Sequence, residues 1–369
     1  MAKSLKLGKR TVRQHVADVI QKIFYKTPLL PFEYKYIINT IEKRFLHLGV
    51  ELTNICNANC SFCPYRYATR EKMVISDQIF KKVIRDYSLI GGGRLSFTPT
   101  VGDPLVDKKI IDKIEYCRQF KNIRPMFFFT NGILLHKHNI DKLLTSGINT
   151  ILISTFLGDR ESYKRYYGVD TYDLVIKNIF MIIEKNREMG FPVEIKLHLR
   201  CEKPYDKVVN SNTFKNIAKI ISKNNIYFLN EYDRWGGDLS MEIKEEDLPK
   251  GGVFVINHFL GFIQKEPCFE LYRRIHILPD GNVGVCMCKD INAEIVIGNV
   301  NEDDLLSIWN GNKIKEYREK WLNGVIPNIC NNCSRYLPIS EYIKRNRLNV
   351  WRYFIKKMTI LKSNDVDKF

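Results

Sequence analysis

The chain has 369 residues, of which 45% are hydrophobic and 27% charged; this suits one large domain or two ordinary ones and excludes a disordered or collagen-like chain. Lysine and arginine total 58 against 41 aspartates and glutamates, a formal charge of +17 spread along the sequence, as at Lys81, Lys82, Lys108, Lys109 and Lys113. No stretch reaches the roughly 18 uncharged apolar residues that would span a bilayer.

Residues 1–44 read as a basic helical extension, with Val12, Val16, Val19, Ile20 and Ile23 on one face and Pro28 and Pro31 interrupting it. The segment lacks the continuous apolar core of a secretory signal, so a cytoplasmic location is expected, where thiols stay reduced. From 45 to 237 strands and helices alternate. Strands are predicted at 45–53, 94–100, 125–130, 150–155, 193–199 and 226–230, and helices at 77–89, 107–120, 139–145, 173–189 and 213–223. Ser76 is placed to cap the first of these helices. Repeated βα units imply a parallel sheet covered by helices; six units fall short of the eight of a closed barrel, so the α/β fold expected is a partial (β/α)6 TIM-like barrel that works at the carboxyl ends of its strands. A polar linker follows, then a smaller α+β domain over 238–339, with a hairpin signal around Pro279-Asp280-Gly281-Asn282 and helices near 303–310 and 313–322. Residues 340–369 form a basic tail with helical potential.

Ten cysteines in such a chain read as metal ligands or reactive thiols, with a few buried bystanders. Cys56, Cys60 and Cys63 stand in a C-x3-C-x2-C pattern directly after the first strand. Three thiolates on one loop can hold three irons of a [4Fe-4S] cube and leave the fourth open to a chelating ligand. A zinc site would favour four protein ligands, and no histidine lies in the loop. Cys268, Cys286, Cys330 and Cys333 form a second set; four thiolates suit either zinc or a fully ligated cube.

The first pattern, with Phe62 before its last cysteine and a six-unit βα region around it, resembles the radical SAM superfamily. The resemblance implies that a cube on Cys56, Cys60 and Cys63 binds S-adenosyl-L-methionine, and that a 5′-deoxyadenosyl radical abstracts a substrate hydrogen. It also implies cofactor contacts from Gly102 and Asp103 after the second strand, Asn131 after the third, Ser154 on the fourth and Arg200 at the end of the fifth. Val101 and Asp103 depart from the family's Gly-Gly-Glu-Pro-like segment, and Phe156 stands where an acidic partner of the serine is usual. The C-x12-G-x4-C opening of the second set and the helix ending in Trp309 resemble the SPASM/twitch auxiliary domain. No cysteine follows Cys333, so the implied form is the one-cube twitch, with spacing similar to that of an aminocyclitol alcohol oxidase of this group. The resemblance favours an auxiliary [4Fe-4S] cluster on Cys268, Cys286, Cys330 and Cys333 over zinc, working in electron transfer.

Cys117 is expected to be buried, and Cys288 to lie near the second set. Cys201 is expected at the active-site mouth, where a thiol can return a hydrogen atom to a substrate radical. Asp233 and Arg234, after the sixth strand, are candidates for taking a proton and for holding an anionic group. The reaction expected is oxidation of a small polar, anionic or neutral substrate, such as a sugar, aminocyclitol or nucleotide-linked sugar, with an external electron donor such as flavodoxin or ferredoxin. Modification of a peptide or protein is the alternative, and a zinc or nucleic-acid module a remote one; nucleic acid is not the expected partner. The tail around Trp351, Tyr353 and Phe354 is a candidate for peripheral membrane contact.

Overall fold

Residues 47–52 alternate in direction, so Leu48, Val50 and Leu52 turn to one side, where they are buried, and His47, Gly49 and Glu51 to the other. That alternation organises the whole molecule. The structure, a computed structural model, describes residues 28, 31–41, 45, 47–235, 242–255, 266–287, 289–331 and 333–347. Six parallel strands run in order: β1 (His47–Val50), β2 (Gly93–Ser96), β3 (Ile123–Thr130), β4 (Thr150–Thr155), β5 (Glu194–Leu199) and β6 (Ile226–Phe228). Helices α1 (Pro31–Ile41), α2 (Asp77–Leu89), α3 (Ile110–Arg118), α4 (Ile140–Thr145), α5 (Arg160–Tyr167), α6 (Tyr172–Glu188), α7 (Asp206–Asn210) and α8 (Asn212–Ile220) account for most of the connecting segments and the approach to β1. Val83 and Ile84 of α2, Ile114 of α3, Ile179 and Ile182 of α6 and Ile217 of α8 meet Leu95, Phe128, Ile153 and Leu197 of the strands in one core. Each such side chain contributes roughly 1.5–3 kcal/mol by leaving water.

The expected α/β barrel is present, with shifts that have local causes. β2 stops at Ser96 because Phe129 N–H then bonds the Thr98 hydroxyl, 2.9 Å away, in place of a main-chain carbonyl. The helix expected from 107 begins at Ile110, since Asp107 is taken up by Lys113 Nζ at 2.6 Å and by Lys109 N–H. The helix expected over 213–223 is α8, which runs from Asn212 to Ile220; Ser211, between it and the additional short helix α7, caps α8 by accepting Phe214 N–H. Helix α5 is an addition; Asp159 caps it and Gly168, at φ 68°, ends it. Ser76 caps α2 through Ile79 N–H, as expected.

Beyond the barrel come β7 (Glu231–Tyr232), β8 (Val253–Phe254), α9 (Glu270–Arg273), β9 (Arg274–Ile277), β10 (Asn282–Gly284), β11 (Val296–Asn299), α10 (Leu305–Asn310), α11 (Asn312–Leu322) and α12 (Asn328–Asn331). The expected hairpin is β9–β10, but β9 also pairs in parallel with β1. One nine-stranded sheet therefore runs β11-β10-β9-β1-β2-β3-β4-β5-β6, and the smaller domain continues the barrel wall. Trp309 seals the joint by packing edge-on against Phe45, ring centroids 5.4 Å apart.

The described start of the basic tail, 339–347, is a packed helical stretch with Ile339 and Ile343 buried. Buried Arg347 lies 2.7 Å from Glu33 of α1, so the two terminal segments meet. Residues 1–27, Gly236-Gly237, Cys288 and the aromatics Trp351, Tyr353 and Phe354 lie outside the described residues. Among the described residues no helix is long and apolar enough to cross a membrane.

Candidate active site and auxiliary metal centre

The chain leaves β1 at Glu51, which is fully buried and paired with Arg70 at 2.9 Å. The cysteine loop that follows is pinned from several sides. Cys56 N–H donates to the Tyr65 hydroxyl at 3.0 Å, and Cys63 N–H to Cys60 O at 3.1 Å. Asn59 and Ser61 N–H donate to the Tyr167 and Tyr166 carbonyls at the end of α5. A Cβ at Gly168 would stand 2.4 Å from Asn59 O, so only glycine lets the helix end this close to the loop. Burial and the Asp103 charge push the Cys56 thiol up to about 12; burial and the two neighbouring sulfurs push Cys60 well up, and burial also raises Cys63. Arg200 works against this at Cys60 and Cys63, and its guanidinium lies over the rings of Phe62 and Tyr232, 5.4 and 4.9 Å from their centroids. The trio is thus desolvated, mutually repulsive as thiolates, and faced by one cation. That is the donor chemistry a cationic iron cluster relieves.

The expected cofactor residues divide. Gly102, at φ 129°, brings its backbone so near the loop that a Cβ would meet Thr53 O at 2.9 Å. Asp103 is 2% exposed and turned inward. Its carboxylate accepts Asn131 N–H at 2.7 Å, Leu105 N–H at 3.0 Å and the Thr130 hydroxyl at 2.9 Å, and burial raises its pKa. Asp103, expected as a cofactor contact, is engaged here as a hub that fixes the end of β3. That hub presents Asn131, whose Nδ2 donates to Asn57 Oδ1 at 2.9 Å and lies 3.9 Å from Cys56 Sγ. Ser154 is half-buried on β4 opposite His198 of β5, on the lumen side. Cys201 does not face the mouth: it is 2% exposed, and its sulfur accepts Leu157 N–H at 3.4 Å in the packed core.

The second set of cysteines encloses a cavity. Cys268, Cys286, Cys330 and Cys333 line a space of about 370 Å³ together with Asp233, Lys289, Arg335, Trp321 and Tyr336. Asp233 is thus drawn to this centre and is no free base. Its carboxylate lies 2.8 Å from Lys289 Nζ and Arg335 Nε and 2.9 Å from the Ser334 hydroxyl. Burial would raise its pKa, but the two cations outweigh that and hold it down at about 2. Lys289, 3% exposed, also sits over the Trp235 ring at 4.3 Å and within electrostatic reach of Cys63, so it stands between the two cysteine sites. Arg234 is exposed and lies over the Phe254 ring. Lys289 and Arg335 went unremarked in the sequence, although each lies within three residues of a cysteine of the second set.

Residues 50–198 match the family model of the radical SAM superfamily, and residues 268–334 match that of an iron-sulfur cluster-binding domain, SPASM. The chain thus carries a radical SAM superfamily domain followed by a SPASM domain. Among curated relatives of this radical SAM protein, a GTP 3′,8-cyclase of Clostridium perfringens is 26% identical over 175 residues, covering 43% of this chain and 53% of the relative. An uncharacterised protein of Methanocaldococcus jannaschii is 30% identical over 185 residues, covering 48% and 54%. The chain thus spans about half the length of the curated relatives it matches. A crystal structure of Streptococcus suis SuiB bound to the precursor peptide SuiA superposes with a TM-score of 0.54 at 16% identity, covering 79% of this chain and 72% of SuiB. That likeness is one of fold. A radical SAM domain joined to a SPASM domain implies S-adenosyl-L-methionine and [4Fe-4S] clusters as cofactors. The half-buried thiol trio and the four-thiol cavity are the donor sets that fit such clusters.

Proposed function

We propose that the enzyme oxidises a small polar substrate held in the barrel lumen, between the two cysteine sites. Cys56, Cys60 and Cys63 hold the cluster that binds S-adenosyl-L-methionine, and Cys268, Cys286, Cys330 and Cys333 hold the auxiliary one. When bound, these groups supply a hydrogen-abstracting radical and a sink for the second electron. The protein's own part is placement and charge. Asp103 fixes the β3 end so that Asn131 stands beside Cys56. Arg200 is clamped against Phe62 and Tyr232 and faces the trio with a fixed positive charge. Ser154 of β4 and His198 of β5 are register partners that line the lumen, with His198 held edge-on between Phe129 and Tyr227.

The observation that carries the reading is the second cavity. Four thiols line it, so a cube seated there has every iron held by protein and none left to bind substrate, which leaves electron transfer as its work. The Asp233–Lys289 pair joins its wall to the neighbourhood of Cys63. Oxidation releases one proton along with the electron, and neither Asp233, saturated by two cations, nor buried Cys201 is placed to receive it. On the lumen face of β5, which also carries Glu194 and Lys196, His198 lies nearest the carboxyl end; burial and the Arg200 charge lower its pKa to about 4, so it is neutral at pH 7 and can relay a proton outward but not keep it. The test is anaerobic reconstitution with iron, sulfide, reductant and S-adenosyl-L-methionine against a panel of sugars, aminocyclitols and nucleotide-linked sugars. The expected result is 5′-deoxyadenosine together with product two mass units lighter than substrate. Turnover of peptides alone, with the panel inert, overturns the reading.

A further inference from the structure

The end of the barrel opposite the cysteine loop carries a second concentration of charge that the reaction does not use. In the sheet register His47 of β1 is the partner of Arg94 on β2 and of Arg274 on β9. Residues in register on neighbouring strands point to the same face, so three basic side chains form one rung across the bottom of the lumen. Arg273, at the end of α9, adds a fourth. Like charges side by side on adjacent strands are destabilising, and two of these share one carboxylate. Glu270 serves both Arg273, at 3.2 Å, and Arg274. Among the described residues no carboxylate pairs with Arg94; its guanidinium lies over the Phe127 ring, 4.4 Å from the centroid, which holds its plane while its N–H groups stay open.

Two donors of the cluster are buried without partners. His47 is 9% exposed and its Nε2 bonds to nothing among the described residues; Arg273 Nε is the other. Burial, with Arg274, Arg273 and Arg94 around it, pushes the His47 pKa down to about 2, so the ring adds a neutral N–H rather than a further charge. The nearest acid above the rung, Glu51, is committed to Arg70 and lies 3.7 Å from His276. Arg94 is exposed, so the cluster is reached from outside the barrel without passing the mouth. The four residues of β1 put it about 13 Å from the start of the cysteine loop.

We propose that Arg94, Arg273, Arg274 and His47 form an oxyanion site at the bottom of the barrel that takes the phosphate group of a small phosphorylated molecule. Planar guanidinium forks match phosphate oxygens in pairs, and a bound dianion removes the repulsion within the rung. Arg274 and Glu270 also line the four-thiol cavity, and Arg274 reaches Met287 Sδ at 3.7 Å, so the site shares a wall with the auxiliary centre, while Arg94 and Arg273 are not among that cavity's lining residues; its test needs no turnover.

The test is scanning calorimetry of the full, reconstituted chain at constant ionic strength with inorganic phosphate, glucose 6-phosphate or UDP. The expected result is a saturable rise in Tm with at least one of them, and the tightest of the three tells a free phosphate from a sugar phosphate or a nucleotide. Arg94→Gln is expected to weaken that binding by roughly tenfold or more, the worth of a charge-assisted bond. Lys108→Gln, an exposed charge elsewhere, should leave it unchanged. Arg273→Gln repeats the test if Arg94→Gln fails to fold. The proposal is overturned if no probe gives a saturable rise, or if the rise is the same in the arginine variants.

Discussion

Replacing Asp233 by asparagine tests how the two centres are joined. The carboxylate faces Lys289, Arg335 and Ser334 within 2.9 Å, with 23% of its own side-chain surface exposed. Its pKa falls from 3.8 to about 2, and at 1.36 kcal/mol per unit the interaction is worth about 2 kcal/mol. The variant loses that and also leaves the Lys289 ammonium buried with its carboxylate gone; breaking a buried pair typically costs about 3–5 kcal/mol. Asp233→Asn should therefore lower stability by roughly 2–5 kcal/mol, and Lys289→Met should be milder. The double variant should be more stable than Asp233→Asn alone, because the stranded charge is gone. Urea unfolding of all four chains, run anaerobically at pH 7, closes the double-mutant cycle. The sign of the pH dependence is also fixed. A depressed carboxyl stabilises above its unfolded pKa near 3.8 and loses that contribution as pH falls through about 2. The gap between wild type and Asp233→Asn should accordingly be flat from pH 6 to 8 and shrink in metal-free chain taken below pH 4. Additive single variants, or a gap that changes between pH 6 and 8, would refute the reasoning.

Three further outcomes are expected. Gly102→Ala strains a backbone at φ 129° and drives a Cβ to 2.9 Å from Thr53 O, so iron content and absorbance of the reconstituted chain should drop even where the fold persists by circular dichroism. Cys330→Ala should keep 5′-deoxyadenosine formation but lose the two-unit mass change, whereas Cys60→Ala should lose both; retention of substrate oxidation by Cys330→Ala would count against the electron-sink role. Cys201→Ala should cost about 1–2 kcal/mol as a buried packing change and still yield the product two mass units lighter; a wild-type product that carries solvent deuterium, lost in the variant, would restore a hydrogen-donor role for this thiol.

The sequence made both cysteine sets legible because their ligands are local: a loop after a strand, and two pairs bracketing a hairpin and a helical insert. Helix caps such as Ser76 were legible for the same reason. What spacing does not carry is the direction of a side chain at a strand end. Asp103 and Asn131 are 28 residues apart, and only the closed β2–β3 ladder shows that the first serves the second. Asp233 and Arg335 are 102 residues apart, and their pairing depends on how the linker returns over the auxiliary domain. Cys201 follows Arg200 by one position, so alternation alone turns its thiol to the core while Arg200 faces the lumen. The packing of residues 339–347 was not legible because Arg347 finds its partner 314 residues away, in Glu33.

The parallel pairing of β9 with β1 bears most directly on mechanism. A smaller domain tethered only by a linker would leave the distance between the two cysteine sites to chance, and electron transfer is steeply sensitive to distance. Four register pairs, His47 with Arg274 through Val50 with Ile277, instead tie the auxiliary hairpin to the strand that launches the first cysteine loop. Because a strand's side chains alternate, a slip of one residue would send Arg274 and His276 out of the lumen and bring Ile275 and Ile277 in, so the register is strongly specified. Gly49 shows how closely the faces meet: a Cβ there would lie 2.6 Å from His276 Nδ1 and 2.3 Å from the Met287 methyl. Met287 follows Cys286 of the second set directly. The contact that glycine permits on β1 thus fixes where the second set of thiols stands relative to the first, and the spacing of the two centres is a property of the sheet.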